Sequence, residues 1–392
     1  MTKEIKQRID QIKNGEVPQG YKKTKIGIVP NEWEENKLKD IAPLQRGFDL
    51  PSYQINKGVY PICCSNGITG YHNEFKVKGP GVWTGRSGTI GKVFYTEKNY
   101  WAHNTSLWVT NFINSIPKYI FYLYTFIDFS KYDAGSTVPT LNRNDIHSLK
   151  ISIPSIAEQQ KISEILSTQD KVIELKEKLL KEKEKQKKYL VQSLVTGKKR
   201  LKGFNGEWKK VKLGNLMNEN NEFVGDRNIK PVAIGVYGIR QREDIFSKDL
   251  SKNYSRNKVF KNNQICFGIG TNQIVYGVNI VNKIYCVSPA YKVLDIVNID
   301  PYYLKLLLDI NNLRLSSLYL IISARQGKSV DFDGLFNEEF DIPLFEEQKA
   351  IAEILTTADK ELKLLQEELE EEKRKKKALM QLLLTGIVRV KV

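Results

Sequence analysis

Residues 153–200 and 342–389 are two copies of one segment at a constant offset of 189, so the chain must fold as a duplicated architecture. Ile153-Pro154, Glu158-Gln159, Ile162, Glu164-Ile165-Leu166 and Asp170-Lys171 return as Ile342-Pro343, Glu347-Gln348, Ile351, Glu353-Ile354-Leu355 and Asp359-Lys360. The match runs without a gap through Gln192/Gln381 and Thr196-Gly197/Thr385-Gly386 to Arg200/Arg389. It holds about 22 identities in about 48 positions, far above chance. The segments before these blocks correspond less tightly. Asn31-Glu32-Trp33 with Leu38 and Ile41 parallels Gly206-Glu207-Trp208 with Leu213 and Leu216. Pro117-Lys118-Tyr119 parallels Pro301-Tyr302-Tyr303, and Gly135-Ser136-Thr137-Val138 parallels Gly327-Lys328-Ser329-Val330. The order is A–B–A′–B′, with B nearly constant and A divergent. A constant B suits a shared frame, and a divergent A suits two different ligands.

The B segments carry a heptad seam, with steps of four and three residues. In the first copy it reads Ile162, Leu166, Gln169, Ile173, Lys176, Leu180, Lys183, Lys187, Leu190 and Leu194. In the second it reads Ile351, Leu355, Ala358, Leu362, Leu365, Leu369, Glu372, Lys376, Leu379 and Leu383. No proline or glycine interrupts either run before Gly197 or Gly386, which stand where a C-terminal cap belongs. The pattern predicts two helices of about 40 residues, roughly 60 Å each at 1.5 Å per residue. Two such helices in one chain can pair antiparallel and hold the A units at opposite ends of a rod. A coiled coil between chains is the alternative, and the charged middle of the seam leaves room for helices from a partner. The Lys-rich stretch 181–188 reads as a solvated face rather than a DNA contact.

The A segments read as α/β with many short strands, among them Val59-Tyr60-Pro61-Ile62 and Val82-Trp83. Residues 119–129 and 303–308 read as short buried helices. Gly85-Arg86-Ser87-Gly88-Thr89-Ile90-Gly91-Lys92 has glycines and cations suited to phosphate, but not the spacing of a nucleotide-binding loop, and Val93 follows the lysine. Asp300-Pro301-Tyr302-Tyr303 lacks the second proline of an amino-methyltransferase motif. Phe267-Gly268-Ile269-Gly270 is an incomplete dinucleotide fingerprint. His72, His103 and His147 have no spacing for metal or nucleophile work. Cys63, Cys64, Cys266 and Cys286 form no CxxC pair, and buried or idle thiols are expected. No catalytic constellation assembles.

Lys and Arg number 61 against 45 Asp and Glu, a net charge of +16 that favours a polyanion partner, nucleic acid before an anionic membrane. The Met1-Thr2-Lys3-Glu4-Ile5-Lys6 start lacks the apolar core of a signal peptide, and no apolar run reaches the ~20 residues that span a bilayer. A cytoplasmic protein without membrane contact is expected.

Five features in order carry a family resemblance over nearly the whole chain. They are Gly20-Tyr21-Lys22-Lys23-Thr24-Lys25-Ile26-Gly27 leading into Pro30 and Trp33; the Gly85-Arg86-Ser87-Gly88-Thr89-Ile90-Gly91 run; Val138-Pro139-Thr140-Leu141-Asn142; the block from Ile153-Pro154 to Leu194-Val195-Thr196-Gly197; and its recurrence from Ile342. In these the chain resembles the specificity (S) subunit of Type I restriction-modification enzymes. The resemblance implies an α+β fold of two globular α/β target-recognition domains separated by two long antiparallel helices, an internal duplication with pseudo-twofold symmetry. The boundaries are then an N-terminal arm and first recognition domain at 1–152, a helical spacer at 153–200, a second recognition domain at 201–341 and a second spacer at 342–392.

It also implies a non-catalytic subunit of a DNA adenine methyltransferase/endonuclease complex, which reads a bipartite asymmetric site in double-stranded DNA. The helices would set the gap between half-sites and seat two methyltransferase (M) subunits, with two restriction (R) subunits joining them. No cofactor is expected in this chain; S-adenosylmethionine would belong to M, and ATP and Mg²⁺ to R. A specificity partner of a Type II-like methyltransferase/nuclease and a coiled-coil scaffold without DNA are the alternatives. Candidate DNA contacts are Arg46, Arg86, Ser87, Thr89, Lys92 and Arg143 in the first domain, and Arg240, Arg242, Asn272, Gln273, Arg325 and Lys328 in the second. The second copy departs from the pattern: Phe267-Gly268-Ile269-Gly270-Thr271-Asn272-Gln273 stands where the Gly-Arg-Ser-Gly run would be, and Val330-Asp331-Phe332-Asp333 replaces Pro-Thr-Leu-Asn.

Overall fold

A computed structural model describes all residues except 1–2, 134, 136, 237, 246–253, 324–326 and 392. The chain divides into two compact units, Met1–Lys178 with Glu367–Val392 (unit 1) and Leu179–Gln366 (unit 2). Both divisions fall inside the long helices, Ile156–Val195 and Phe345–Leu384, each 40 residues. Each unit therefore holds one half of each long helix.

The heptad seam is visible in the burial. Ile162, Leu166 and Gln169 are buried and Ile173, Lys176, Leu180, Lys183, Lys187 and Leu190 half-buried, while nearly all positions between them from 171 to 189 are exposed. Ile351, Leu355, Leu369 and Leu383 are buried and Leu362, Leu365, Glu372, Lys376 and Leu379 half-buried in the second copy. Within each unit the helix halves run antiparallel: from Asp170 to Lys176 the partner falls back from Lys376 to Glu368, and from Lys183 to Lys187 it falls back from Glu361 to Asp359. In unit 1 Gln169 donates to Glu372 at 2.6 Å, Lys376 pairs with Asp170 at 2.5 Å and Lys176 with Glu368 at 2.8 Å. In unit 2 Lys183 pairs with Glu361 at 2.6 Å and Lys187 with Asp359. The charged middle is thus partnered by the chain itself. Lys183 and Lys187 belong to the seam, and the rest of the Lys-rich stretch is solvated.

Both helices end alike. Gly197 and Gly386 take φ of +71° and +72°, where a side chain is strained. Lys199 N donates to the Ser193 carbonyl at 2.9 Å and Val388 N to that of Leu382 at 3.0 Å, closing the last turn.

Each unit is centred on a four-stranded antiparallel sheet of the same order. In unit 1 it is β1 (Leu44–Arg46), β2 (Gly81–Gly85), β3 (Val93–Thr96) and β4 (Ser106–Val109), arranged β1-β4-β2-β3. In unit 2 it is β5 (Met217–Glu219), β6 (Gln264–Ile269), β7 (Ile274–Asn279) and β8 (Lys292–Ile296), arranged β5-β8-β6-β7. A helix with proline at its first turn packs on each, Pro117–Ile127 in unit 1 and Pro301–Tyr319 in unit 2. The second is longer than the 303–308 expected, because its apolar residues continue to Leu315 and no breaker intervenes.

The cores show what the duplication does. Unit 1 packs Leu38, Val82, Leu107, Tyr119, Ile162 and Leu166 with Met380, Leu383 and Leu384 from the second long helix. Unit 2 packs Leu213, Ile265, Tyr303, Ile351 and Leu355 with Leu194 and Val195 from the first. Each fully buried leucine in these joints stabilises by roughly 2 kcal/mol.

The register of 189 extends farther back than the identities do. The short helices Arg143–His147 and Phe332–Asn337 are capped by Asn142 and Asp331, and the strands Lys150–Ile153 and Glu339–Ile342 keep the same offset. This corrects the looser alignment of Gly135-Ser136-Thr137-Val138 with Gly327-Lys328-Ser329-Val330: Asn142 corresponds to Asp331, and Thr140 to Ser329.

Candidate nucleic-acid interface

In unit 1 the connection from β2 to β3 is the Gly-Arg-Ser-Gly run. It folds so tightly that a Cβ on Gly85 would collide with the Thr89 carbonyl, and Gly88 sits at φ +84°. The run docks on the second motif. Gly88 N donates to the Pro139 carbonyl at 2.9 Å, Leu141 N to that of Arg86 at 2.9 Å, and Ser87 bridges Thr140. Two motifs some fifty residues apart in sequence thus form one surface.

The arginines on this surface are tethered. Arg46 Nη2 donates to Asp49 Oδ1 at 3.0 Å, Asn104 Nδ2 donates to the same oxygen, and Arg86 Nε donates to the Asn104 carbonyl at 3.0 Å. Asp49 and Asn104 are the residues that sequence reading missed; nothing marks them except that Asp49 lies three residues after Arg46. Such a chain of bonds fixes where guanidinium groups point, which a reader of base edges requires. Ser87 and Thr89 are half-buried, Lys92 is exposed, and the Lys92 carbonyl accepts from Thr84 Oγ1 at 2.8 Å. Arg143 is exposed at the start of its short helix.

The histidines serve the scaffold. His147 Nε2 accepts from Leu44 N at 2.8 Å and so holds the start of β1. Burial, helped by the nearby Arg143 charge, holds its pKa below the usual histidine value. His103 Nδ1 lies 3.0 Å from Thr105 Oγ1, and burial lowers its pKa too. Cys63, Cys266 and Cys286 are buried, and burial raises all three thiols above the ordinary cysteine value, Cys63 and Cys266 far above it.

In unit 2 the equivalent connection, from β6 to β7, is a four-residue turn closed by Gly270 N donating to the Gln273 carbonyl at 2.9 Å. Asn272 is exposed on it and Gln273 half-buried. Lys328 Nζ donates to the Thr271 carbonyl from the hairpin β9 (Leu320–Ser323) and β10 (Gly327–Val330). Asn272, Gln273 and Lys328 therefore come together. Arg240 and Arg242 lie elsewhere, on the strand Gly238–Gln241 and just after it, with Arg242 6.0 Å from the Tyr254 ring. Arg325 lies outside the described residues.

In each unit an arginine grips a buried glutamate. In unit 1 Arg389 Nε and Nη2 reach Glu158 Oε1 and Oε2 at 2.7 and 2.8 Å, and Trp33 Nε1 donates to the same carboxylate at 3.2 Å. In unit 2 Arg200 Nε and Nη2 reach both oxygens of Glu347, each at 2.7 Å. The hydrogen bonds to the glutamate raise the pKa of each arginine. Among the described residues no group of three His, Cys, Asp or Glu is placed to hold a metal, and no helix is long and apolar enough to cross a membrane.

The sequence profile of the family described as "Type I restriction modification DNA specificity domain" matches residues 30–185 and again 205–373. The putative type I restriction enzyme MjaX specificity subunit of Methanocaldococcus jannaschii is 25% identical over 95% of this chain and 97% of its own length. The type I restriction enzyme MjaIX specificity subunit of the same organism is 30% identical, in a match that spans 40% of this chain and only 42% of that relative. In fold, the chain is similar to the crystal structure of a Type-I restriction-modification system S subunit from M. genitalium, at TM-score 0.57 and 15% identity over 90% of this chain and 96% of that one. It is similar also to a chain from a structure titled for complex assembly and conformational transition of the type I R-M system, at TM-score 0.53 and 13% identity over 92% and 99%. With the family profile matched twice, over the greater part of its length and once in each half of the duplication, the chain belongs to the DNA specificity subunits of Type I restriction-modification systems.

Proposed function

We propose that each unit reads one half of a bipartite, asymmetric DNA site, and that the long helices hold partner subunits on it. The observation that carries this reading is one sheet built twice, β1-β4-β2-β3 and β5-β8-β6-β7, with unlike chain on its central turn. A constant frame with two different turns suits two different half-sites. In unit 1 Arg46, Arg86, Ser87, Thr89, Lys92 and Arg143 line the approach. In unit 2 Asn272, Gln273 and Lys328 do, and Arg240 and Arg242, on a separate hairpin and its end, offer further cations. Arginine fits the two acceptors on guanine's major-groove edge, asparagine and glutamine fit adenine, and lysine holds phosphate. The charge of +16 draws the duplex in and makes the binding salt-dependent.

Partner docking uses the outer faces of the long helices. Leu175 and Leu364 are 54% and 59% exposed, lie off the seam and occupy the same position in the two copies. They give two copies of one methyltransferase subunit equivalent apolar footholds. Two restriction subunits join through them. The chemistry belongs to those partners, S-adenosylmethionine to the methyltransferase and ATP with Mg²⁺ to the restriction subunit; this chain supplies the address. Long-read methylation mapping in a methylation-free host tests the reading. A split motif methylated only when this chain and its neighbouring methyltransferase subunit are both present supports it. A formed complex that adds no methylation contradicts it.

A further inference from the structure

The hairpin β9–β10 places an apolar side chain beside the polar reading turn of unit 2. Paired residues on an antiparallel hairpin share a face, and faces alternate along each strand. Leu320 pairs with Val330, and both pack on the unit 2 core. Two residues farther out, Ile322 pairs with Lys328 on that same face. Lys328 reaches from there to the Thr271 carbonyl, next to Asn272 and Gln273. Ile322, at 66% exposure, therefore stands on the side of the hairpin that meets the turn, past the edge of the core. Ile321, on the opposite face with Ser329, does not.

An exposed β-branched hydrocarbon on the face that carries Lys328 to the turn can meet an apolar feature of an otherwise polar partner. The major groove of DNA offers one, the C5-methyl group of thymine. We propose that Ile322 contacts a thymine methyl, so that the half-site read by unit 2 contains an A·T pair whose thymine this chain distinguishes by its methyl group. The proposal rests on the DNA-reading assignment above and adds a base and a residue to it.

The test removes only the methyl group. Duplexes carrying the mapped site are made with uracil in place of thymine, one position at a time, and bound by the full chain with its methyltransferase subunit. One uracil, in the half-site that Asn272→Ala relaxes, should weaken binding about fourfold, the effect of one methyl-sized group taken from water. Ile322→Ser should bind the thymine and uracil duplexes alike, Ile322→Val should keep most of the difference, and Ile321→Ser should keep all of it. Indifference to uracil at every position overturns the proposal, as does a uracil effect that survives in Ile322→Ser. Equal binding of the mapped site and a scrambled duplex would overturn the DNA-reading assignment itself, and the methyl contact with it.

Discussion

The two joints beneath the sheets differ by less than the two surfaces above them. In unit 1 the second helix ends with Gly386 against Pro30 and Trp33, and Tyr21 donates to the Gly386 carbonyl at 2.9 Å. In unit 2 the first helix ends with Gly197 against Trp208, where a Cβ would lie 3.2 Å from the ring. Both keep a buried glutamate, a bidentate arginine and a tryptophan. The secondary bonds vary. Trp33 donates to Glu158 while Trp208 Nε1 has no hydrogen-bond partner among the described residues, and Arg389 adds Glu32 where Arg200 adds the Gly206 carbonyl. The surfaces share no such core: unit 1 has a seven-residue run docked on Pro139-Thr140-Leu141, and unit 2 a four-residue turn docked by a lysine. Duplication has preserved the bonds that hold each unit to the helices and released the residues that face outward.

The largest expected effect lies in the joint. Arg389→Ala strands the carboxylate of Glu158, whose side chain is 1% exposed, and should cost about 3 kcal/mol in urea unfolding. That is the low end of the range because Arg389 itself is 32% exposed. Arg200→Ala should act in the same direction on unit 2; a silent Arg200 would mean that the joints are not equivalent.

A smaller effect sharpens the difference between them. Trp33→Phe removes a hydrogen bond to a buried charge and should cost about 1.5 kcal/mol. Trp208→Phe loses no such bond, so its midpoint should move less. Equal losses would assign the tryptophans to packing alone.

The smallest effect separates the units by pH. All three histidines lie in unit 1. Burial lowers His103 and His147, so the unfolded chain binds more protons than the folded one as pH falls below about 6.5. Their contribution is complete above that pH and is lost as pH falls through the depressed values. Hydrogen exchange between pH 7 and 5 should show unit 1 loosening and unit 2 holding, and His147→Gln should flatten the slope. Equal loosening of both units would place the pH sensitivity elsewhere.

Much of the frame is legible in the residues. Seam spacing locates both long helices, and Gly197 and Gly386 mark their ends because only a left-handed residue stops such a helix cleanly. The joining of Trp33 to Gly386 is not legible, since no local pattern links residues over 350 positions apart. The older reach of the repeat is hidden for a different reason. From Asn142/Asp331 to Ile153/Ile342 the fold requires a cap, a buried residue such as Ile146 or Leu335, and a strand, and several residue types satisfy each. Residue type alone singles out the candidate contacts, and the structure gathers only some of them. Arg46 and Arg86 meet through Asp49 and Asn104, and Asn272, Gln273 and Lys328 meet through Thr271, whereas Arg240 and Arg242 lie on another hairpin and its end. Ile322 escaped because an isoleucine in a strand is ordinarily core, and only the hairpin register shows it past the core's edge.

The central claim is that the two turns address two different half-sites from one frame. Methylation maps of Arg86→Ala and Asn272→Ala, each expressed with the methyltransferase subunit, test it most directly. Loss of one well-placed base contact costs ~1–3 kcal/mol of discrimination, enough to blur a position in the map. Arg86→Ala should relax one half-site and leave the other intact, and Asn272→Ala should do the reverse with the gap unchanged. Two variants that blur the same half, or that lower methylation evenly without changing either half, would contradict the account.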